Sequence, residues 1–541
     1  MSKKWWYLLL VSAWMIPGLV ERDPWKADEA YTYGLVLHMS ETGDWVVPQL
    51  GGEPFMQKPP VFFATATVAT KLFGGLVGFT TAARTANVIF LALTLWALWK
   101  ASEELNGQGT GCSATILFMG CVIYLHTAHM LQTDVSLVAG FALAFYGAAL
   151  ALSRPVPGGI WLGTGIGIAF MSKGLLGPGL LGISLLATMV LFPPWRQPRV
   201  FAALGIAFVA SLPWLLIWPL ALLKRDQELF NQWFLDNNLG RFLGAERVGR
   251  PNLLGLDGSR YWFITALPWY TWPAFPLLCV AAWKERARIL REPVFQFCLM
   301  TLLVVAGILT VSRNGRELYG LPLLVPASVL GARGIRHLNG AWMDWWRRGV
   351  LALFGTAVIL AWVAWAAQLN GWIPGFVSFL QGKLPGYTPT FHPAAVAAAL
   401  VATVLWFWWM LRQPRQEAAN VAVNWTAGPV IAYLLAMSIW LPAIESNMSY
   451  RHLAGWKGHL PPAGECVASY NLGEPQRAMF HYYNGLKTER HEIGRGTNCN
   501  WFLSVADARN PEPDRDPGSG WTLMFQDVHS RKELFRLYRR N

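Results

Sequence analysis

The feature that most constrains this chain is a long succession of apolar stretches, each close to the length that crosses a lipid bilayer as a helix. A straight helical span needs about 20 apolar residues, because the hydrocarbon core is about 30 Å thick. Of the 541 residues, 54% are hydrophobic and only 14% are charged, whereas soluble domains carry roughly 25% charged residues. The sequence therefore predicts a polytopic α-helical membrane protein.

Thirteen stretches are candidate spans. A further stretch, 60–79, contains Lys71 and several glycines, so it is either a span or a helix that lies at the membrane interface. The thirteen candidate spans are 5–20, 81–100, 111–128, 135–152, 159–172, 174–193, 201–221, 261–282, 293–311, 317–332, 349–367, 393–411 and 423–442.

Basic residues indicate how the chain is oriented, because short cytoplasmic loops retain Lys and Arg. If 60–79 does not cross, the loops on the N-terminal side carry Lys3, Lys4, Lys100, Arg154, Arg196, Arg199, Lys284, Arg286, Arg288, Arg291, Arg333, Arg336, Arg347, Arg348, Arg412 and Arg415. We therefore expect thirteen spans, a cytoplasmic N-terminus, a retained first anchor and a C-terminal domain outside. The net charge of +13 then suits membrane lipid headgroups and does not imply nucleic acid.

Acidic, basic and uncharged polar residues gather in the loops that this topology places outside. In a chain so poor in charge, the clustering favours a site that binds an anionic group and also offers a carboxylate. The alternative is a scatter of snorkelling side chains and loop ion pairs. The candidates are Asp28, Glu29, Tyr31, Tyr33, Lys58, Arg84, Asp134, Lys173, the stretch 222–260, and Ser312 to Tyr319, which includes Arg313, Arg316 and Glu317.

The first outer loop has a local pattern that brings its two ends together. Residues 28–40 read as a short amphipathic helix, and glycines at 43, 51 and 52 mark turns. Lys58 precedes two prolines, so its backbone is predicted to be extended. Such a loop can fold back over the bilayer surface and place Lys58 near Asp28.

An ordered set of motifs runs along nearly the whole chain. The motifs are Ala27-Asp28-Glu29-Ala30-Tyr31, Gly43-Asp44-Trp45, Gln57-Lys58-Pro59-Pro60, Arg84, Asp134, Ser172-Lys173-Gly174, Pro213-Trp214, and Ser312 through Tyr319 leading into Pro322 and Pro326. In this order and spacing, the chain resembles the lipid-dependent glycosyltransferases of the C superfamily, within the protein O-mannosyltransferase-like group that includes the bacterial aminoarabinose transferases of lipid A.

The resemblance implies transfer of a sugar from a polyprenyl-phosphate donor to a lipid, glycan or protein acceptor at the periplasmic face of a bacterial inner membrane. It implies that Asp28, beside Glu29, is the essential acid and that Lys58 meets the lipid phosphate. The aminoarabinose branch usually has Arg and then Tyr at the third and fourth positions after the Asp. Here these positions hold Tyr31 and Thr32, which cannot replace a forked guanidinium.

The chemistry of such a transfer needs few groups. A sugar on a polyprenyl phosphate already has a good leaving group, so the enzyme needs a cation near the departing phosphate and a carboxylate near the acceptor hydroxyl. Lys58 suits the first role, supported by Arg84, Arg313 or Arg316, and Asp28 suits the second. The expected substrate-binding residues are Tyr31, Tyr33, Asp134, Lys173, Arg241, Glu317 and Tyr319.

The stretch 222–260 and the acidic residues leave further alternatives open. Leu229, Phe230, Trp233 and Phe234 form an apolar stripe, and Arg241 can reach headgroups. The stripe is either a lid or wall for the prenyl chain or simple packing on neighbouring spans. No cofactor is firmly implied, although Asp28, Glu29 and Asp134 offer oxygen ligands for a divalent metal ion.

The chain is expected to divide into a membrane domain, 1–442, with outer interfacial helices at about 28–79 and 222–260, and a small outer α/β domain, 443–541. In that outer domain we expect strands at 465–471, 488–493, 499–505, 521–527 and 533–538, and a helix at about 474–484. Cys466 and Cys499 would form a disulfide in an oxidising compartment.

Two other classes of protein would use the same set of charged residues. A transporter also uses buried charged residues, but no internal repeat is apparent and the charges gather at one face instead of mid-span. A protein or oligosaccharide glycosyltransferase of the same superfamily would differ only in its acceptor.

Overall fold

The computed structural model describes residues 3–240, 262–311, 316–338, 340–412, 419–509, 517–529 and 532–541. Most of the described chain is helical, because a chain segment that crosses lipid must satisfy its own backbone hydrogen bonds. The helices are α1 (Lys3–Met15), α2 (Asp28–Thr42), α3 (Val61–Val77), α4 (Phe79–Asn106), α5 (Gly111–Met119), α6 (Val122–His129), α7 (Thr133–Ala151), α8 (Pro155–Lys173), α9 (Leu176–Leu191), α10 (Pro198–Arg225), α11 (Gln227–Asn231), α12 (Trp262–Tyr270), α13 (Ala274–Lys284), α14 (Pro293–Val311), α15 (Leu324–Gly334), α16 (Gly340–Asn370), α17 (Pro374–Lys383), α18 (Pro393–Arg412), α19 (Ala419–Ala436), α20 (Leu441–Met448) and α21 (Glu474–Asn484).

The chain is a multi-pass membrane protein, as predicted. Helices lie at all thirteen predicted positions. By length and composition, seven described helices can each cross a membrane, or up to ten if each of three bent pairs is one span. The bent pairs are α5 with α6, α12 with α13, and α19 with α20. The count of thirteen and the cytoplasmic N-terminus remain predictions.

Glycines bring three of the membrane helices into close contact. A Cβ atom on Gly147 of α7 would lie 2.2 Å from the backbone nitrogen of Leu162 in α8, and one on Gly163 of α8 would lie 2.2 Å from the carbonyl oxygen of Ala207 in α10. Small residues allow such backbone approach in membrane helices. Because α7 and α8 are antiparallel and joined by a short turn, Asp134 at the start of α7 meets Lys173 at the end of α8.

The first outer loop folds between the membrane helices and the C-terminal region. A short hairpin, β1 (Gln49–Leu50) with β2 (Glu53–Pro54), follows α2, and α2 packs along α21. A Cβ on Gly34 would lie 2.7 Å from that of Ala478, and Arg477 pairs with Glu53 at 3.0 Å. Nearly every residue of α2 from 29 to 39 is buried. The helix predicted at 28–40 is therefore confirmed, but it is buried on nearly all sides and is not amphipathic, because α21 covers the face that would otherwise meet water.

The C-terminal region forms a five-stranded mixed sheet in the order β4-β3-β5-β7-β6, with α21 between β3 and β4. Its strands match the five predicted ones. β3 pairs in parallel with β4 and β5, and β7 is antiparallel to β5 and β6. Cys466 and Cys499 are joined in a disulfide with their Cα atoms 5.0 Å apart. The strands are β3 (Val467–Tyr470), β4 (Glu489–Arg490), β5 (Trp501–Asp507), β6 (Trp521–His529) and β7 (Glu533–Arg540). The domain boundary at 442 stays a prediction.

Candidate active site

Lys58 lies where the first outer loop returns to the membrane helices, four residues after β2. Pro59 and Pro60 follow it and lead into α3. The Lys58 ammonium donates a hydrogen bond to the Tyr31 hydroxyl and lies 5.1 Å from the centroid of the Tyr31 ring. Burial lowers the pKa of Lys58 to about 8. A lysine poised this way can carry or lose its charge near neutral pH.

Four other charged groups act electrostatically on Lys58. Asp28 and Asp134 favour its protonated form, and Lys173 and Arg316 oppose it. These groups come from the start of α2, the start of α7, the end of α8 and the segment before Glu317. The fold therefore gathers both signs of charge from four separate parts of the chain, as the clustering in the sequence predicted.

Asp28 is the acid of this cluster that remains available to a ligand. It is the first residue of α2 and is half-buried. In the part of the chain that the structure describes, no group donates a hydrogen bond to its carboxylate. A carboxylate held near a lysine but not neutralised by a hydrogen-bonded partner can accept a proton or stabilise positive charge on a substrate.

Asp134 and Lys173 form a buried ion pair. Lys173 Nζ lies 2.5 Å from Asp134 Oδ1, and the ammonium also lies 4.9 Å from the centroid of the Tyr319 ring. Asp134 Oδ2 is buried with no hydrogen-bond partner among the described residues. The pair therefore lies at one side of the cluster and leaves Asp134 Oδ2 able to accept a hydrogen bond.

Glu29 and Arg84 lie behind this cluster and neutralise each other. The Glu29 carboxylate accepts hydrogen bonds from Arg22 at 2.7 Å, from Arg84 at 3.1 Å, and from the backbone N–H groups of Trp25 and Leu131 at 3.0 and 3.1 Å. Both members of each ion pair have no exposed side-chain surface. Both charges are thus paired inside the protein. The catalytic role of Glu29 and the phosphate-binding role of Arg84 stay predictions, and this geometry does not favour them.

Arg22 is the residue that sequence reasoning missed in this network. It also donates to the carbonyls of Gly18 and His129, at 2.9 and 2.8 Å. Arg84 in turn donates to the carbonyl of Arg22 at 2.6 Å. The two arginines and Glu29 thus hold together the loop before α2, helix α4 and the turn before α7. The charged run from Glu21 to Asp23, directly after the first apolar stretch, was the available signal.

Tyr33 is also set away from the cluster. It has no exposed surface, and its hydroxyl donates to the carbonyl of Thr80 at 2.8 Å. The Arg84 guanidinium lies 5.3 Å from the centroid of its ring. The hydroxyl is thus used in a contact with α4, and a role of Tyr33 in substrate binding stays a prediction. Tyr33 faces α4 because it is two residues from Tyr31 on the same helix and so points to a different side.

The segment before α15 contributes Arg316, Glu317 and Tyr319. Arg316 is exposed, and the carbonyl of Glu317 accepts a hydrogen bond from Tyr270 at 2.7 Å. The predicted site residues Arg313 and Arg241 lie outside the described residues. The Glu317 side chain is half-buried.

The described part of the stretch 222–260 packs on the membrane helices. Trp233 lies 4.8 Å from Trp218 of α10 and 5.9 Å from Phe170 of α8, by ring centroids. Asn238, in the π-helical segment Gln232–Gly240, lies over Gly174, where a Cβ would come within 1.6 Å of its Oδ1. The aromatic stripe is thus used for packing, and it holds this segment against the residue that follows Lys173.

The acids named as oxygen ligands for a metal are used in different ways. Glu29 forms ion pairs with two arginines, and Asp134 forms one with Lys173. Among the described residues, the only set of His, Cys, Asp and Glu atoms close enough to share an ion comprises Cys466, Glu489 and Cys499. Two of these are the disulfide cysteines, so that set does not offer thiolate ligands.

Comparisons with known proteins identify sequences that are similar to this chain. Residues 57–218 match the family profile of the dolichyl-phosphate-mannose-protein mannosyltransferases. The undecaprenyl phosphate-α-4-amino-4-deoxy-L-arabinose arabinosyl transferase of Serratia proteamaculans is 24% identical over 60% of this chain and 58% of its own length. The enzyme of the same name from Yersinia pestis is 25% identical over 60% and 57%. The chain therefore spans less than two thirds of the length of these relatives.

Solved structures share the fold over almost the whole chain. ArnT from Cupriavidus metallidurans, bound to undecaprenyl phosphate, superposes with a TM-score of 0.68 at 15% identity, covering 99% of this chain and 98% of that one. Its apo state gives 0.71 at 16% identity with the same coverage. The oligosaccharyltransferase of Archaeoglobus fulgidus gives 0.51 at 11% identity, over 94% and 70%. The chain therefore has the fold of these ArnT structures, and its residues 57–218 resemble the dolichyl-phosphate-mannose-protein mannosyltransferase family.

Proposed function

We propose that this protein is an integral-membrane glycosyltransferase that moves a sugar from a polyprenyl-phosphate donor to a lipid or cell-envelope glycan. The observation that carries the proposal is the pairing of a cation and an unneutralised acid: Lys58, with a pKa of about 8, beside Asp28. The names of the relatives, and the undecaprenyl phosphate in one structural neighbour, support this donor class.

In this proposal Lys58 receives the phosphate of the donor. As the bond between the anomeric carbon and the phosphate oxygen breaks, negative charge grows on the departing polyprenyl phosphate, and the ammonium stabilises that charge more in the transition state than in the ground state. A charge-assisted hydrogen bond of this kind contributes about 1.5 to 3 kcal/mol. Lys173 and Arg316 strengthen the positive potential around it.

Asp28 acts on the other partner. The acceptor hydroxyl forms the new bond to the anomeric carbon and gives its proton to the Asp28 carboxylate, a step that accelerates group transfer by about 10² to 10⁴. If the acceptor is a phosphate, it needs no deprotonation. In that case Asp28 orients it or stabilises positive charge developing on the sugar ring.

The names of the relatives suggest one donor sugar and one acceptor as the first pair to test. Aminoarabinose on undecaprenyl phosphate, delivered to lipid A, is the combination to test first because the relatives' names contain that sugar. Tyr31 stands where that branch usually has Arg, so another sugar or another acceptor, including a protein or an oligosaccharide, is the second candidate.

We further propose that the site faces the periplasm, with Lys58 and the C-terminal sheet on the same outer side of an inner membrane. The basic residues of the loops at the opposite ends of the spans support this orientation. The helix α21 docks on α2, so the C-terminal region accompanies the site, where it is suited to support the loop or recognise the acceptor.

Asp28→Asn is the direct test of the proposed function. It removes the charge with almost no change in shape, so sugar transfer from a radiolabelled polyprenyl-phosphate sugar to a membrane lipid extract should fall by at least about 10². Glu21→Gln, at an exposed acid of the same loop, is the matched control and should transfer at the wild-type rate. Transfer by Asp28→Asn at that rate would remove Asp28 from the mechanism.

A further inference from the structure

We propose that Tyr31 is a positioning residue that holds the Lys58 ammonium ready for the donor phosphate. This inference rests on the proposed function and adds a residue to it. The geometry behind it is direct: the Tyr31 hydroxyl accepts a hydrogen bond from Lys58 Nζ, and the same ammonium lies over the Tyr31 ring.

Tyr31 is itself held firmly. It is 5% exposed, and its ring stacks on Phe55 with centroids 5.5 Å apart and planes 29° apart. Phe55 belongs to the loop that follows β2, and its backbone N–H bonds the carbonyl of Pro48 at 2.8 Å. The hydroxyl is therefore presented at one place by α2 and by the loop, so that the flexible end of the lysine has a defined position.

A lysine needs such help more than an arginine does. Its ammonium sits on a flexible four-carbon stem, and ordering that stem costs conformational entropy on each binding event unless it is already ordered. An ammonium has three N–H donors. One is used by Tyr31, so two remain for phosphate oxygens, and the ligand need not compete with Tyr31 for the lysine.

A neutral residue such as Tyr31 is also compatible with the charged groups around Lys58. Lys173 and Arg316 already oppose the protonated form of Lys58. Another cation at position 31 would add to that repulsion, whereas a hydroxyl oxygen and an aromatic face both favour the charged ammonium. Tyr31 thus holds Lys58 in place without adding a positive charge.

The test is a double-mutant cycle on binding of undecaprenyl phosphate to the purified full-length protein in detergent. Tyr31→Phe keeps the ring, the stacking on Phe55 and the cation–π contact, and removes only the hydroxyl. We expect affinity to fall roughly tenfold at pH 7.5, with KM for the donor rising more than kcat falls. In a Lys58→Ala background the same change should alter affinity by less than about twofold, because Tyr31 acts through Lys58.

Tyr7→Phe is the matched control. It removes a tyrosine hydroxyl that bonds Thr115 at 3.1 Å and has no contact with Lys58, so its affinity should equal that of wild type. Phe55→Leu is a second variant that loosens the Tyr31 ring and keeps its hydroxyl, and it should weaken binding in the same Lys58-dependent way if Tyr31→Phe folds poorly.

The outcomes separate this inference from the function on which it rests. Wild-type protein that binds no polyprenyl phosphate would overturn the proposed function and the role of Tyr31 together. Wild-type binding with equal affinity in Tyr31→Phe would overturn the role of Tyr31 alone. A tenfold loss that persists in the Lys58→Ala background would also overturn it, since Tyr31 would then act independently of the lysine.

Discussion

The lowered pKa of Lys58 makes donor binding depend on pH in a way that its replacement by arginine should abolish. Phosphate binding needs the protonated ammonium, and burial places the pKa of Lys58 at about 8. The contribution of the charge is therefore nearly complete at pH 7 and is lost as the pH rises through 8. With that pKa, about nine tenths of the lysine is charged at pH 7 and about one tenth at pH 9, which predicts a roughly tenfold loss of affinity between them.

The measurement is the dissociation constant of undecaprenyl phosphate in detergent between pH 6.5 and pH 9.5, for wild type and Lys58→Arg. Above pH 7 a phosphate monoester is already almost fully ionised, since its second pKa is about 6, so the ligand adds little to the slope. Arginine keeps its charge throughout this range, and its affinity should stay level even if it is lower overall. A level profile for wild type, or an equal tenfold fall in Lys58→Arg, would refute the assignment of Lys58 to the phosphate.

Two further predictions concern stability and orientation. Arg84→Met leaves Glu29 paired with Arg22 but removes the donor to the carbonyls of Arg22 and Asp23. It should lower the free energy of unfolding by about 2 kcal/mol or more, since each buried acceptor left unpaired costs about 1 to 3 kcal/mol, and this should appear as a lower melting temperature in detergent. Lys100→Met, at an exposed position of the same helix, should cost less than about 1 kcal/mol, and equal losses would contradict the buried triad. In cells with a Cys279→Ser background, Lys487→Cys should react with an impermeant thiol reagent added outside and Ala341→Cys should not; the reverse labelling would overturn the proposed topology.

Local patterns in the sequence predicted the helical membrane fold and singled out the two groups at the centre of the proposed mechanism. Apolar runs place a helix at each predicted position because a span must satisfy its own backbone hydrogen bonds within lipid. The prolines after Lys58 keep it out of α3, and the position of Asp28 at the start of α2 leaves its carboxylate at the end of the helix. These constraints act over a few residues, so they can be predicted from neighbouring residues alone.

Partner choice among the charged and aromatic residues was decided only by the tertiary structure. Glu29 and Asp28 are adjacent in sequence, yet Glu29 is enclosed by Arg22 and Arg84, and Asp28 faces the cluster around Lys58. Tyr31 and Tyr33 are separated in the same way. Successive positions on a helix point to different sides, and which side meets an arginine, a lysine or α21 depends on elements far away in the chain. The sequence therefore identified the polar residues of the region around the site. The packing of α2 against α4 and α21 determined which of them can meet a ligand.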